Sequence, residues 1–303
     1  MSVQEARKAK VAIMNAVHDL PVLVARDKGF FRDEGLDIDF VTTPGMAQVS
    51  TSHVVTFDTV FDRPLDSVYN EGGIDQYRMC EWGIMKRAVE AESNQLRPRK
   101  IVALGASMSK FCIAVRNDSK IFEPEMLKDK VISVTPNNGS HFTMLKIVEG
   151  FVERQHVKTT NAGSMVKRLD ALRTGAIDAV VLMEPWISVA QKEGLRILIE
   201  SHSTRSEAAS DELDGPTLAA MFRAQARAVE LLEKDARPFV HYLVAETGGL
   251  LKESDFQTWR LLHAPPQPYT RERFDDTYKW TVKVNMTVPG ATFENTVDNR
   301  AWK

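Results

Sequence analysis

The sequence predicts an α/β fold with a helical carboxyl region, and three observations predict it. Residues 130–186 alternate strand-like and helix-like runs, the pattern that favours a parallel sheet. The opening forty residues show the same order of strand, helix and strand, and beyond residue 217 the apolar spacing is helical almost throughout. At 303 residues the chain has room for one large domain or for two lobes of ordinary size sharing a hinge.

Val11 to Met14 reads as a short buried strand, Asn15 to Leu20 as a loop, and Pro21 to Lys28 as the first turns of a helix, with proline where a helix begins. Gly35 ends that segment, and Leu36, Ile38 and Phe40 alternate with Asp37 and Asp39 as a second strand. Pro44, Gly45 and Pro64 break the periodicity of 42–70, which reads as irregular. Ile84 to Glu92 is a helix, and Lys100 to Leu104 and Phe111 to Arg116 are two short strands. Val131 to Thr135 is a strand followed by the turn PNNGS. A helix follows over His141 to Arg154, with Phe142, Leu145, Val148 and Val152 at near-helical spacing. Val166 to Thr174 is a further helix closed by Gly175, and Ile177 to Met183 is a continuous buried strand. Leu195 to Glu200 reads as a returning strand. Thr217 to Glu233, Pro238 to Glu246 and Glu253 to His263 read as helices, before the rigid break PPQP at 265–268.

Composition excludes several classes. Hydrophobic residues make up 43% and charged residues 26%, as in ordinary globular proteins, so neither disorder nor a fibrous repeat is indicated. Thirty-nine Lys and Arg nearly balance 41 Asp and Glu, and no basic run is long enough to follow phosphates, so nucleic acid is not an expected partner. Apolar runs such as Ala179 to Met183 fall far short of the roughly 20 residues that cross a bilayer, so membrane insertion is not expected either. The start, MSVQEARKAKVAIMNAV, passes directly into a strand-like run without an apolar leader core. That gives an expected cytoplasmic location, or a periplasmic one if a leader has been removed. Cys80 and Cys112 are too few and too far apart for a zinc knuckle or a CxxC pair. They read as buried small hydrophobes, although spacing alone leaves a disulfide open.

Three segments carry a resemblance: HDLPVLVARDKGFFRDEGLDIDFV (18–41), VISVTPNNGSHFTMLKIVEG (131–150) and ALRTGAIDAVVLMEPWISVAQKEG (171–194), the last being the most specific. Together they resemble the family of alkanesulfonate-, taurine- and nitrate-type solute-binding proteins and the yeast thiamine-pyrimidine synthases. YNEGGIDQYRMCEWGIMKRA (69–88) is a weaker echo of the same device. The resemblance implies a two-lobed, periplasmic-binding-protein-like (type II) α/β fold with a helical carboxyl region. It places the first lobe at 1–107 and 203–303, the second at 108–202, and a ligand between them.

Ligands in open α/β sheets sit beyond the carboxyl ends of the strands, which directs attention to the loops there. The turn Asn137, Asn138, Gly139, Ser140 and His141 leads straight into a helix whose free N–H groups and dipole suit a carboxylate, sulfonate or sulfinate. The competing reading makes Ser140 or Asn138 only an N-cap. Asn15 and His18 follow the first strand. Arg78, Cys80, Glu81 and Trp82 follow the next, where Arg could clamp an oxyanion, Trp stack on a planar ring, and Glu or Cys move a proton. Salt bridging and core packing are the plainer reading of that cluster. If it is a strand, Cys80 and Trp82 share a face that Glu81 does not. Glu184 and Trp186 flank Pro185 at a corresponding strand end as hinge or cleft wall, or with Glu184 capping a helix; His53 and Phe57 could form a lid.

No P-loop, GxGxxG, HExxH or GxSxG motif is present, so no cofactor and no metal are expected. Two functional readings follow. The favoured one is a cytoplasmic, cofactor-independent enzyme of lyase, decarboxylase or desulfinase type, with His18, Cys80, Glu81 or His141 transferring protons and Arg78 with the Ser140 turn holding an anionic small molecule. The alternative is the solute-binding component of an ABC transporter for sulfonate-, nitrate- or pyrimidine-like ligands, the only reading that requires a permease partner. The cysteine-rich iron motif that marks the pyrimidine synthases is missing.

Overall fold

The computed structural model describes residues 6–42, 64–136 and 139–303; His53, Phe57, Asn137 and Asn138 lie outside them. In chain order the elements are β1 (Arg7–Ile13), α1 (Ala16–Asp27), α2 (Phe30–Asp33), β2 (Leu36–Thr42), α3 (Pro64–Asn70), β3 (Gln76–Met79), α4 (Glu81–Ser93) and β4 (Lys100–Val115). There follow β5 (Val131–Ser133), α5 (Gly139–Val148), β6 (Lys158–Thr160), α6 (Met165–Arg173), β7 (Ala179–Met183), α7 (Trp186–Lys192) and β8 (Arg196–Ala209). The remainder is α8 (Gly215–Lys234), α9 (His241–Ala245), β9 (Leu262–His263), α10 (Arg271–Lys283) and α11 (Phe293–Thr296).

One mixed sheet runs β2-β1-β3-β8-β4-β7-β5-β6, with β9 added beside β4. Its two ends are parallel, β2-β1-β3 and β7-β5-β6, each built from strand–helix alternation as the sequence predicts. Between them lies the antiparallel pair β4 and β8, whose register shifts between Leu104 and Met108. Helices cover both faces. One core packs α1 and α8 against the sheet through Val17, Leu20, Val24, Leu218 and Met221; the other packs α4 and α5 through Trp82, Met85, Phe142 and Leu145.

Several boundaries differ from expectation for local reasons. Helix α1 begins at Ala16, not Pro21, because Asn15 caps it by accepting the His18 N–H, and Pro21 is accommodated inside. The stretch expected as two strands is the single β4: Gly105 and Ser107 interrupt the apolar pattern, and the pairing with β8 shifts register there, but the strand continues to Val115. Residues 80–82 are not strand, since Cys80 is the N-cap of α4 and Glu81 its first residue. Glu253 to His263 forms two 3-10 turns and β9 rather than a helix. Cys80 and Cys112 are both free and buried.

Candidate functional site

The strand ends bring His18, Arg78, Cys80 and Gly139 around one buried point, and a residue from mid-strand β8 completes it. That residue is Arg205. It is 2% exposed, and among the described residues its hydrogen bonds are two long ones to the Ser203 carbonyl (3.4 Å each), with no carboxylate paired to it. Its guanidinium lies 5.5 Å from the Phe111 ring centroid, and burial lowers its pKa. A Cβ on Gly139 would come within 3.1 Å of Arg205 Nη1 and 3.8 Å of Cys80 Sγ, so glycine is what lets the amino end of α5 approach the guanidinium. Helix α4 also begins here, and its N-cap, Cys80, makes no side-chain capping bond. Two helix amino ends, that of α4 without a side-chain cap, therefore meet one cation that has no carboxylate partner among the described residues, and both favour negative charge.

His18 adds a directed donor. Asn15 Oδ1 accepts the His18 backbone N–H at 3.0 Å, so its amide nitrogen faces the ring and donates to His18 Nδ1 at 2.9 Å. With Nδ1 accepting, the neutral ring carries its proton on Nε2, an atom that is buried and has no partner among the described residues. Burial, reinforced by Arg205 and Arg78, holds the His18 pKa well below its ordinary value and keeps it neutral. Ser107 Oγ donates to the His18 carbonyl at 2.6 Å, and Phe111 meets Arg205. Ser109 lies between these two on the same strand face, with its buried Oγ unpartnered.

Arg78 is differently placed. It is 1% exposed, pairs with Asp19 and with Glu207 (3.2 Å), and donates to the Ala12 carbonyl; Nη2 alone has no partner among the described residues. Gln76 donates to the second Glu207 oxygen at 2.8 Å. Burial, with Asp19 nearby, raises Glu207 to about 7 despite Arg78. The charge of Arg78 is thus compensated internally, and Arg205 supplies the net positive charge of the site.

The other sequence-predicted residues have structural partners. Glu81 accepts from Tyr269 Oη (2.8 Å) and Arg273 Nε (2.7 Å), which ties α4 to α10. Trp82 stacks on Phe142 (6.2 Å between centroids) and donates its indole N–H to the Met286 carbonyl. Ser140 accepts the Thr135 N–H, and His141 on the first turn of α5 is buried, its pKa lowered to about 4 by burial and then by Arg154. Trp186 opens α7, half-buried. Glu184 accepts from the Ser188 N–H and Oγ, the capping role weighed above, and lies 3.6 Å from Arg260.

Burial raises Glu184 to about 7. A carboxyl whose folded pKa exceeds its unfolded value stabilises fully below the unfolded value and loses that contribution as pH rises through the folded one. The neutral variant Glu184→Gln should therefore match the parent near pH 5 and exceed it by about 1–3 kcal/mol near pH 8. Thermal melts of both proteins across that range test it; a stability difference independent of pH would show that Glu184 stays ionised throughout.

No family model matches the chain. The Bacillus subtilis (strain 168) protein "Putative binding protein YtlA" is 25% identical over 213 residues, 67% of this chain; the match spans only 57% of that protein's length. Among solved structures, the alkanesulfonate-binding protein SsuA from Xanthomonas axonopodis pv. citri, bound to MOPS, superposes with a TM-score of 0.73 at 16% identity, covering 98% of this chain and 99% of that one. The nitrate-binding protein NrtA from Synechocystis PCC 6803 gives 0.65 at 13% identity, covering 98% and 88%. A Candida albicans gene product described as having the generic periplasmic binding protein fold gives 0.69 at 13% identity, covering 98% and 97%. The chain has the periplasmic-binding-protein fold, as the sequence resemblance implies. These comparisons lend no support to the lyase, decarboxylase or desulfinase reading, or to the cytoplasmic location that accompanied it.

Proposed function

We propose that this chain is a solute-binding protein that holds a small organic anion between two lobes and delivers it to an ABC permease, acting on the outer side of the membrane. The observation that carries the reading is Arg205, a buried guanidinium with no carboxylate partner among the described residues, at the amino ends of α4 and α5. Burying a charge without a counter-ion costs several kcal/mol, and an anionic ligand would supply the missing charge. His18 Nε2–H and the Ser109 hydroxyl would supply directed hydrogen bonds. The likeness in fold to sulfonate- and nitrate-binding proteins supports the same class of ligand.

The lobes would divide within the β4–β8 pair, at 107/108 and 202/203. The register shift between Leu104 and Met108 in β4, and its partner Thr204 in β8, make that region the natural hinge. Among the described residues no helix is long and apolar enough to cross a membrane.

Binding explains the site better than turnover. The Glu81 carboxylate is engaged by Tyr269 and Arg273, and His18 is held neutral with Nδ1 occupied, so neither is placed as a free proton carrier. A thermal-shift screen against propanesulfonate, pentanoate and nitrate, followed by recovery of the ligand, tests this. A ligand at a hundred times its Kd should stabilise by about 2.7 kcal/mol and return unchanged; chemical conversion would overturn the binding reading in favour of an enzyme.

A further inference from the structure

The cradle around Arg205 adjoins a cavity of about 230 Å3 lined by Glu81, Phe142, Thr143, Lys146, Arg273 and the 201–204 stretch of β8. The two share their elements: Glu81 follows the cap residue Cys80, Ser203 and Thr204 precede Arg205, and Thr143 lies one turn beyond Gly139 on α5. Two donors on this wall lack close partners among the described residues. Thr143 Oγ1 is buried with no hydrogen bond, the residue being 2% exposed. Lys146 Nζ rests over the rings of Phe142 (4.8 Å) and Trp280 (5.1 Å), and its nearest carboxylate, Glu81, is 3.7 Å away. Glu81 already has Arg273 at 2.7 Å, and Glu149, the other carboxylate that feels Lys146, is held by Lys283 and Trp280, so Lys146 shares its carboxylate neighbours with closer donors.

Resting on the binding reading above, we propose that the site selects diacids, with one acid group on Arg205 and His18 and a second carboxylate received by Lys146 and Thr143. Thr143 lies four residue steps along the helix from Gly139, about 6 Å along the axis. The Lys146 side chain, directed back toward the amino end of α5, brings its ammonium over that same turn. A short-chain dicarboxylate or sulfonated carboxylate spans this distance. A wider outer cavity of about 530 Å3 shares Glu81, Lys146 and Arg273 with this one and adds Glu149, Glu272 and Asp276, so a ligand with a cationic tail would favour those added carboxylates instead.

Calorimetric titration of the full chain with glutarate, pentanoate and 4-aminobutyrate separates these cases. Glutarate should bind about tenfold more tightly than pentanoate, the value of one charge-assisted hydrogen bond. Lys146→Met should remove most of that ratio, and Thr143→Val, which keeps the volume and deletes the hydroxyl, should reduce it further. Equal affinity for glutarate and pentanoate, or tightest binding of 4-aminobutyrate, overturns the diacid proposal and leaves the anion-binding site standing. Absence of binding by all three and by propanesulfonate overturns both.

Discussion

Arg205→Met is expected to abolish high-affinity anion binding and, at the same time, to make the ligand-free protein more stable. The two effects share one cause. Arg205 is buried without a carboxylate partner, and its pKa is lowered by burial, so the folded chain carries an uncompensated charge until a ligand arrives. Methionine fills a similar volume beside Phe111 without that cost, at the loss of a cation–π contact and two long hydrogen bonds to Ser203. The net gain should be about 1 kcal/mol. Binding should weaken about a hundredfold, since a charge-assisted hydrogen bond and the main counter-charge are both removed. Melting temperature without ligand and calorimetry with the best anion from the screen give the two readings. If stability falls while binding survives, Arg205 is a structural residue and the ligand lies elsewhere.

Much of the architecture was legible because both parallel ends of the sheet rest on signals local in sequence. The runs Leu36–Phe40 and Ala179–Met183 show the period or continuity of strands, and Gly35 and Gly175 take the left-handed conformation expected of residues that end helices. The strand-end and helix-start residues His18, Arg78, Cys80 and Gly139, which the same logic singles out, lie near one another in the structure, because a βα turn places its residues at the sheet's carboxyl edge. Arg205 was not found. The Leu195–Glu200 strand was expected to stop where its apolar run stops, yet β8 continues to Ala209 through SHSTRSE, a polar stretch with no hydrophobic alternation. A strand that faces a polar centre need not alternate apolar and polar residues, so periodicity is blind to it. The available signal was Arg205 and Glu207 on one face, two charged residues at a spacing of two, five and seven positions beyond the end of an apolar strand.

The same blindness separates the two central arginines. From sequence, Arg78 looks like the anion clamp, being at a strand end beside Cys80 and Glu81. What decides its role is its distant partners: Asp19 from α1 and Glu207 from β8. Arg78 joins β3, α1 and β8, while Arg205, on the same strand as Glu207, is left without a carboxylate partner among the described residues. The site thus combines a neutralised arginine that holds the elements together with one that has no carboxylate partner among the described residues, the one proposed above to attract the anion.

Arg78→Met should accordingly do the opposite of Arg205→Met. It leaves Asp19 and Glu207 buried without their cation, and breaking such a pair costs about 3–5 kcal/mol. For a chain of this size that corresponds to a fall of about 5–8 °C in melting temperature. The loss should also depend on pH in a definite direction. Glu207 already has its pKa raised to about 7, with burial the main cause and Arg78 the group that restrains it. Without Arg78 the folded pKa rises further, so the variant retains a proton on Glu207 over a wider range, while the unfolded chain releases it near the ordinary carboxylate value. Stability contributed by that retained proton is present at acid pH and disappears as pH climbs through the folded pKa. The gap between parent and variant should therefore be smallest near about pH 5 and widen toward about pH 8. Adding Glu207→Gln to Arg78→Met should close much of the gap at the upper end, because a neutral amide needs no counter-ion there. A gap of constant size across that range, or no rescue by the second substitution, would mean that Arg78 acts through packing alone and that Glu207 is not the charge it neutralises.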